Sequence, residues 1–526
     1  MENLAEADQA RLSQALNQLR LGAWDEARTV LAGIEFQDHP LVLANLAFTE
    51  EKLGHLETAR ASYERALSLA PLSAELRFNW GNFLAQHATP QEARDQWLAA
   101  LTLDPGLIGA WINLGVNLLE SSHPAAARTA FQAALAIQID HPAAQLNLAQ
   151  VALRQQENGE AADLFQRLLT QEPLHREAHR GLATALTRLG QDEAAAPHRD
   201  LAWQGQPTFF FPGSRHAQHQ MLVLASAHEG NVPWQNLVDR HNTHVRAIAL
   251  EYFPDHERLP SCDLLFNAVG DPDRSPLALK RAQHYWPDSG SRRNDPWRVA
   301  ATARTALPQH LQGISGLRLA RCEAYPRQHD NPAEEAARLR VWMSEQGWSF
   351  PLLLRSGGFH GGQFFDKVNH PDDLAPTLAR LPGTHLLVIE WLPSQDADGF
   401  HRKYRLMSLG GLLCPLHLAI SPQWKVHYFS ADMAKQPAHR EEEARFLEHF
   451  TDVLPAPALH ALNQVQERLG LDYGGMDFAL DRDGHVLLFE ANATMIMAAP
   501  PEDALWDYRR EAYEQALEQA RAVFLP

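Results

Sequence analysis

The chain has 526 residues, 45% hydrophobic and 21% charged, which excludes a disordered, collagenous or fibrous protein. At roughly 150 residues per domain it predicts three to four domains rather than one core. The 46 Lys and Arg residues face 64 Asp and Glu, and the net charge of −18 opposes phosphate backbones and anionic lipid, so neither nucleic acid nor a membrane is expected as a partner. Three scattered cysteines, an acidic N-terminus and no run of eighteen apolar residues predict a cytoplasmic protein without structural zinc.

From the N-terminus the chain repeats with a period of 34. Small residues recur at Ala47, Gly81, Gly115, Ala149 and Ala183, and again at Ala59, Ala93, Ala127, Ala161 and Ala195. Tyr63, Trp97, Phe131 and Phe165 follow the second series, with Arg199 breaking the run, and Pro71, Pro105, Pro173 and Pro207 close the units, Ile139 standing in once. Apolar residues at intervals of three and four between these marks predict two amphipathic helices per unit. The small residues let the helices approach, the aromatic fills the gap and the proline stops the second helix.

This pattern resembles the tetratricopeptide repeat over about residues 8 to 207, with a shortened first unit from Leu12 to Pro40. The resemblance implies an all-α superhelix at residues 1–207 whose concave side, lined by the first helix of each unit, holds a peptide or protein. Asn45, Asn79, Asn113 and Asn147 lie on those helices, again 34 apart. Such a ladder either binds the backbone of an extended peptide substrate or bonds between neighbouring helices.

After Pro207 the period stops, and QPTFFFPGSRHAQH, with its prolines and glycine, predicts a linker at 208–217. Short apolar runs then alternate with helical patterns, MLVLASA, VPWQNLVDRHNTH, VRAIALEY and CDLLFNAVGD, which predicts a parallel sheet with crossover helices in an α/β layer at 218–315. In 316–395, FPLLLRSGGFHGGQFFDKV reads as strand, glycine-rich loop, strand, and THLLVIEWLP as a further strand. In 396–526, GGMDFALDRDGHVLLFEANATM reads as a hairpin turning at Asp-Arg-Asp-Gly.

That hairpin carries the strongest chemical signal. Asp477 leaves one strand, and Glu490 and Asn492 leave its partner on one face, since residues two apart align. Two carboxylates and an amide oxygen are hard ligands that suit magnesium with positions open for phosphates. The alternative is an exposed hairpin with ordinary acidic residues, but a charged Glu inside the apolar VLLFEA is costly unless paired.

With that spacing, residues 218 to 526 resemble the ATP-grasp superfamily, in particular its glutathione synthetase and ribosomal-protein glutamate ligase branch, with an α+β/α/β fold. The resemblance implies ATP with two magnesium ions bridging its phosphates, Asp477, Glu490 and Asn492 being the ligands. It implies that the loop with Gly357, Gly358, Gly361 and Gly362 closes over the phosphates, where bare backbone N–H groups approach closely. Glu390, Trp391 and Leu392 match the hinge segment at the adenine edge, and Arg405 matches an arginine that reaches the transferred phosphate and the acyl group. Two positions depart from the family: Arg355 stands for the lysine before the glycine loop, and Arg304, in ATARTAL, for a lysine early in a helix. Both remain cationic and clamp phosphate by a fork.

The segment from Pro415 to Met433, with His417, Lys425 and His427, forms either the acceptor pocket or an ordinary sheet insertion. The reaction the resemblance implies is carboxylate activation through an acyl phosphate, then displacement by an amine to give an amide, with ADP and phosphate released. Fused to the repeats, this reads as a ligase modifying a peptide, as in peptide natural-product biosynthesis, with a small-molecule or amino-acid co-substrate. The rival readings are an ATP-grasp phosphotransferase and a non-catalytic repeat scaffold with an ATP-binding module.

Overall fold

A computed structural model of the protein describes residues 4–525 except 122, 215–216, 240, 359–363, 427, 429–430 and 502. Three expected site residues, Gly361, Gly362 and His427, lie outside the described residues. The chain forms two compact units that divide at Ala202/Trp203.

The first unit is all helix, built of pairs: α1 (Glu6–Leu21) with α2 (Trp24–Ala32), α3 (Pro40–Lys52) with α4 (Leu56–Leu69), α5 (Ala74–His87) with α6 (Pro90–Leu103), α7 (Ile108–Glu120) with α8 (Pro124–Ile137), α9 (Pro142–Arg154) with α10 (Asn158–Gln171), and α11 (Arg176–Arg188) with α12 (Asp192–Trp203). Pro71, Pro105 and Pro173 each stand two residues past a second helix, as does Ile139. The spacing of small and aromatic residues is steric: a Cβ on Gly81 would lie 2.7 Å from the Trp97 ring, and one on Gly115 2.5 Å from Phe131. Where Arg199 breaks the aromatic series, its guanidinium is buried and donates to Thr187 Oγ1 at 2.8 Å, so a hydrogen bond takes the place of a ring.

The second unit contains three sheets. The first holds β1 (Thr208–Phe211), β2 (His219–Ala225), β3 (Thr243–Ala249), β4 (Leu264–Asn267) and β5 (Arg292–Arg293) in the order β1-β3-β2-β4-β5. All neighbours are parallel except β1, which pairs antiparallel with β3. The expected linker at 208–217 is therefore corrected: its first four residues form an edge strand, because TFFF has a β-favouring aromatic run with β3 free to pair. The expected helix over VPWQNLVDRHNTH is a single 3-10 turn, Trp234–Asn236. Asp239 Oδ1 accepts from the His241 backbone N–H at 2.9 Å, which turns the chain instead. A full crossover helix, α13 (Pro276–Tyr285), joins β4 to β5, and two short helices follow, α14 (Pro296–Ala300) and α15 (Leu307–His310).

Next in the chain is β6 (Leu317–Leu319), followed by the second sheet of β7 (Cys322–Pro326), β8 (Leu352–Ser356), β9 (Phe365–Val368) and β10 (His385–Glu390) in the antiparallel order β7-β10-β8-β9. The helices α16 (Pro332–Glu345) and α17 (Leu374–Leu378) pack on it. The third sheet comprises β11 (His401–Leu409), β12 (Leu412–Ser421), β13 (Tyr473–Leu480) and β14 (Val486–Asn492), ordered β12-β11-β13-β14-β6. Thus β6 falls within the 316–395 segment but bonds to the third sheet, parallel to β14. The remaining helices are α18 (Pro437–Val453), α19 (Ala456–Leu469) and α20 (Arg510–Val523), and one continuous apolar core runs from the first sheet to the third. The chain is thus an all-α repeat region followed by a region of mixed sheets. No helix among the described residues is long and apolar enough to cross a membrane.

Candidate active site

Strand register assembles the centre. His417 on β12 pairs with Arg405 on β11, Arg405 with Asp477 on β13, and Asp477 with Glu490 on β14. Directly paired residues point to one face, so these four form a row across the third sheet. Bulges follow Arg405 and Asp477, at the row itself.

Within the row, Arg405 clamps Asp477 with a fork, Nε to Oδ1 at 2.6 Å and Nη2 to Oδ2 at 2.8 Å. Lys403 Nζ adds a bond to Oδ2 at 3.0 Å. Burial opposes ionisation of Asp477, but Arg405 and Lys403 outweigh it and hold the carboxyl far below the usual carboxylate range. Lys403 escaped the sequence reading, although its place two residues before Arg405 puts both cations on one face of the strand.

Glu490 accepts from Arg304 Nη2 and from Asn492 Nδ2, the latter at 2.8 Å. The Asn492 oxygen in turn accepts from Thr494 N and Oγ1, each at 2.9 Å. Arg304 lies on a turn between α14 and α15 rather than in a helix, since Pro308 sits at the first turn of α15 and restarts the chain there. Its backbone N–H donates to Asp273 Oδ2 at 3.1 Å. Asp271, Asp273, Arg304, Ile389, Glu490 and Asn492 line one cleft, with contributions from the second and third sheets and from the loop after β4. The two aspartates were also missed. Their signal was GDPD just past the C-terminal end of β4, the place where open α/β sheets bind ligands.

Arg355, on β8, is 7% exposed and lies 5.6 Å from the Phe365 ring. Burial and the like charge of Arg304 push its guanidinium down to about 10. Of the loop glycines, Gly357 spends its N–H on His385 O at 3.1 Å, and Gly358 takes a left-handed φ of 80°. The Glu390 side chain is committed within the hinge, accepting from Arg318 Nη2 and the Arg321 N–H, both at 3.1 Å. Trp391 carries Lys367 Nζ 3.6 Å from its ring centroid, and Leu392 packs on Ala479 and Leu487. Lys367 is a further unforeseen cation, its pKa lowered by burial.

Within the Pro415–Met433 segment, His417 and Lys425 have different surroundings. His417 stands in the row, buried, and burial with the nearby Arg405 charge keeps its pKa well below the ordinary value. Lys425 instead donates to Phe365 O on β9 at 3.0 Å. In the repeat unit, the asparagine amides are engaged locally: Asn45 donates to Leu41 O at 2.7 Å and Asn147 to Ala143 O at 2.8 Å, each within its own helix. Asn113 donates to Asn82 Oδ1 of α5 at 2.7 Å, and Asn79 is exposed. Among the described residues one group of Asp and His side chains, Asp481, Asp483 and His485, lies within 4.8 Å, but Asp481 there accepts the backbone N–H groups of its own turn.

Residues 46–108, 112–172 and 146–202 match the family model of the tetratricopeptide repeat. The N-terminal region is thus a tetratricopeptide repeat array, a protein-interaction scaffold. Among solved structures, the chain is similar to pilF of Pseudomonas aeruginosa, at 22% identity over 37% of this chain and 89% of that one, with a TM-score of 0.35. It is similar to PilW, a type IV pilus biogenesis factor, at 21% identity over 38% and 93%, TM-score 0.35. It is also similar to YrrB, a repeat protein with an unusual peptide-binding site, at 22% identity over 32% and 87%, TM-score 0.29. No curated protein sequence matches the chain.

Proposed function

We propose that the sheet region is an ATP-dependent carboxylate–amine ligase of the ATP-grasp type, acting on a peptide or protein recruited by the repeat array. The observation that carries this reading is the row His417, Arg405, Asp477 and Glu490, next to a cleft where Arg304 meets Glu490 and Asn492. Two anions, a carboxylate and a triphosphate, must meet for such a reaction, so catalysis is mainly charge neutralisation and alignment. Arg304 and Arg355 supply forked donors for phosphate oxygens, and Arg405 with Lys403 supplies positive charge for the acyl end. Asp477 holds those last two cations in place.

Magnesium fits the donor chemistry, since Glu490, Asn492, Asp271 and Asp273 bring hard oxygens to one cleft. Glu490 and Asn492 would hold it, and Asp477 would join them only in place of its bonds to Arg405 and Lys403. When bound, the ion neutralises phosphate charge and polarises the phosphorus–oxygen bond. In the reaction itself, the substrate carboxylate oxygen takes the γ-phosphoryl group and ADP leaves. The amine then attacks the acyl carbon, phosphate leaves with the bonding pair, and the amine gives up a proton. Hydroxylamine tests the reading: with ATP, magnesium and the carboxylate substrate it must give a hydroxamate, whereas a phosphotransferase gives none. One observation favours a second reading, a non-catalytic scaffold: both Asp477 oxygens are already bound by cations. Absence of magnesium-dependent ADP release with candidate peptides would decide for it.

A further inference from the structure

Beyond His417 the fold buries polar groups that the ligase chemistry above leaves unused. Arg509, just before α20, and His417 are each 7% exposed. Both pack on Tyr428: the two ring centroids of His417 and Tyr428 are 4.7 Å apart, and the Arg509 guanidinium carbon lies 4.2 Å from the Tyr428 centroid. Glu443, on α18 and fully buried, balances the charge of Arg509. Its oxygens, however, are spent elsewhere: Oε1 accepts from the Leu418 N–H at 3.2 Å, and Oε2 from the hydroxyls of Tyr428 at 3.1 Å and Tyr508 at 2.6 Å. Among the described residues, Arg509 Nε, 3.5 Å from Glu443, donates no hydrogen bond, and His417 Nε2 has no partner. Buried donors of this kind are costly unless something completes them.

The charges around the pair indicate what completes them. His417 is surrounded by Arg405, Lys403 and Arg509 as cations and by Asp477 as an anion, with Glu443 bonded to the next residue of its strand. Three positive charges against two negative leave room for one added negative charge, which fits a monoanionic carboxylate better than a dianionic phosphate. The guanidinium fork matches the planar carboxylate, and a neutral imidazole offers one further N–H donor.

We infer that Arg509 and His417 form a binding site for the carboxylate of an amino-acid co-substrate, whose amine then lies toward the Arg405 end of the row. The role of that amine as acceptor rests on the ligase reading; the carboxylate site itself does not.

Calorimetric titration of the full chain with each of the twenty proteinogenic amino acids tests the inference, together with the carboxamide of the best binder. At least one amino acid should bind, and its carboxamide should bind at least about tenfold more weakly, the loss of one charge-assisted hydrogen bond. The double variant R509Q/E443Q removes both charges of the buried pair, so it should fold and lose amino-acid affinity by a similar factor. R509K keeps the charge without the fork and should fall between. Binding by none of the twenty, equal binding of acid and amide, or unchanged affinity in both R509Q/E443Q and R509K would overturn the inference. Magnesium–ATP affinity measured alongside keeps the two ideas apart: its absence with intact amino-acid binding sinks the ligase reading alone.

Discussion

Arg355 offers a test in which stability and binding move in opposite directions. The residue is 7% exposed, and burial with the repulsion of Arg304 lowers the guanidinium's pKa to about 10. At about 1.4 kcal/mol per pKa unit, that shift is a folding cost on the order of 3 kcal/mol. Because the folded value lies below the unfolded one, the cost is present at every pH below about 10 and fades only as pH rises toward the unfolded value. Arg355→Met keeps the stem and removes the charge, at the loss of the guanidinium's contacts, among them that with the Phe365 ring, worth about 0.5 to 1 kcal/mol. The variant should therefore gain stability at neutral pH, by at most about 2 kcal/mol, read from the urea midpoint of the sheet region. Its affinity for ATP should fall by about 1.5 to 3 kcal/mol, roughly 10- to 150-fold, by calorimetry. A less stable variant that binds ATP as well as wild type would refute the reasoning, since Arg355 would then be a structural residue with no ligand to hold.

Four further outcomes are expected. Glu490→Ala should abolish magnesium-dependent ADP release in a protein that still folds, by circular dichroism; wild-type turnover would remove Glu490 from the site. Gly115→Ala should destabilise the repeat unit by about 1 to 3 kcal/mol in thermal melts, because its Cβ falls 2.5 Å from Phe131, and Phe131→Leu should restore part of the loss. Asn79→Ala with Asn113→Ala should weaken capture of a peptide substrate by about 0.5 to 1.5 kcal/mol per lost bond; unchanged capture would make the asparagines structural. The repeat unit should also lose stability as pH falls below about 6.5. His179 Nε2 donates to Pro173 O and His179 Nδ1 faces His198 Nδ1 at 2.8 Å, an arrangement that needs one neutral acceptor nitrogen. Burial and His179 lower the His198 pKa, so the unfolded chain takes up the proton first, and His198→Gln should flatten the profile.

The repeat was legible because its cause is local. Gly115 and Phe131 are sixteen residues apart in one helix pair, so a steric rule between adjacent helices prints a period directly on the sequence. The β13–β14 hairpin was legible for the same reason, its turn fixing which residue faces Asp477. The strand at Thr208–Phe211 was not, because its partner β3 is more than thirty residues away and the intervening prolines and glycine look like a connector.

Side-chain competition explains the rest. The spacing of Asp477, Glu490 and Asn492 predicted three free oxygen donors. Folding, however, also brings β11 beside β13, and with it Lys403 and Arg405, which take both oxygens of Asp477. Arg304 and Asn492 engage Glu490, and Thr494 engages Asn492. A motif names the donors; the register decides which cations stand against them. The same logic makes Arg509 and His417 informative. In a centre where nearly every carboxylate has found its cation, one buried guanidinium nitrogen and one buried imidazole nitrogen without a hydrogen-bond partner among the described residues mark where the protein's own chemistry stops.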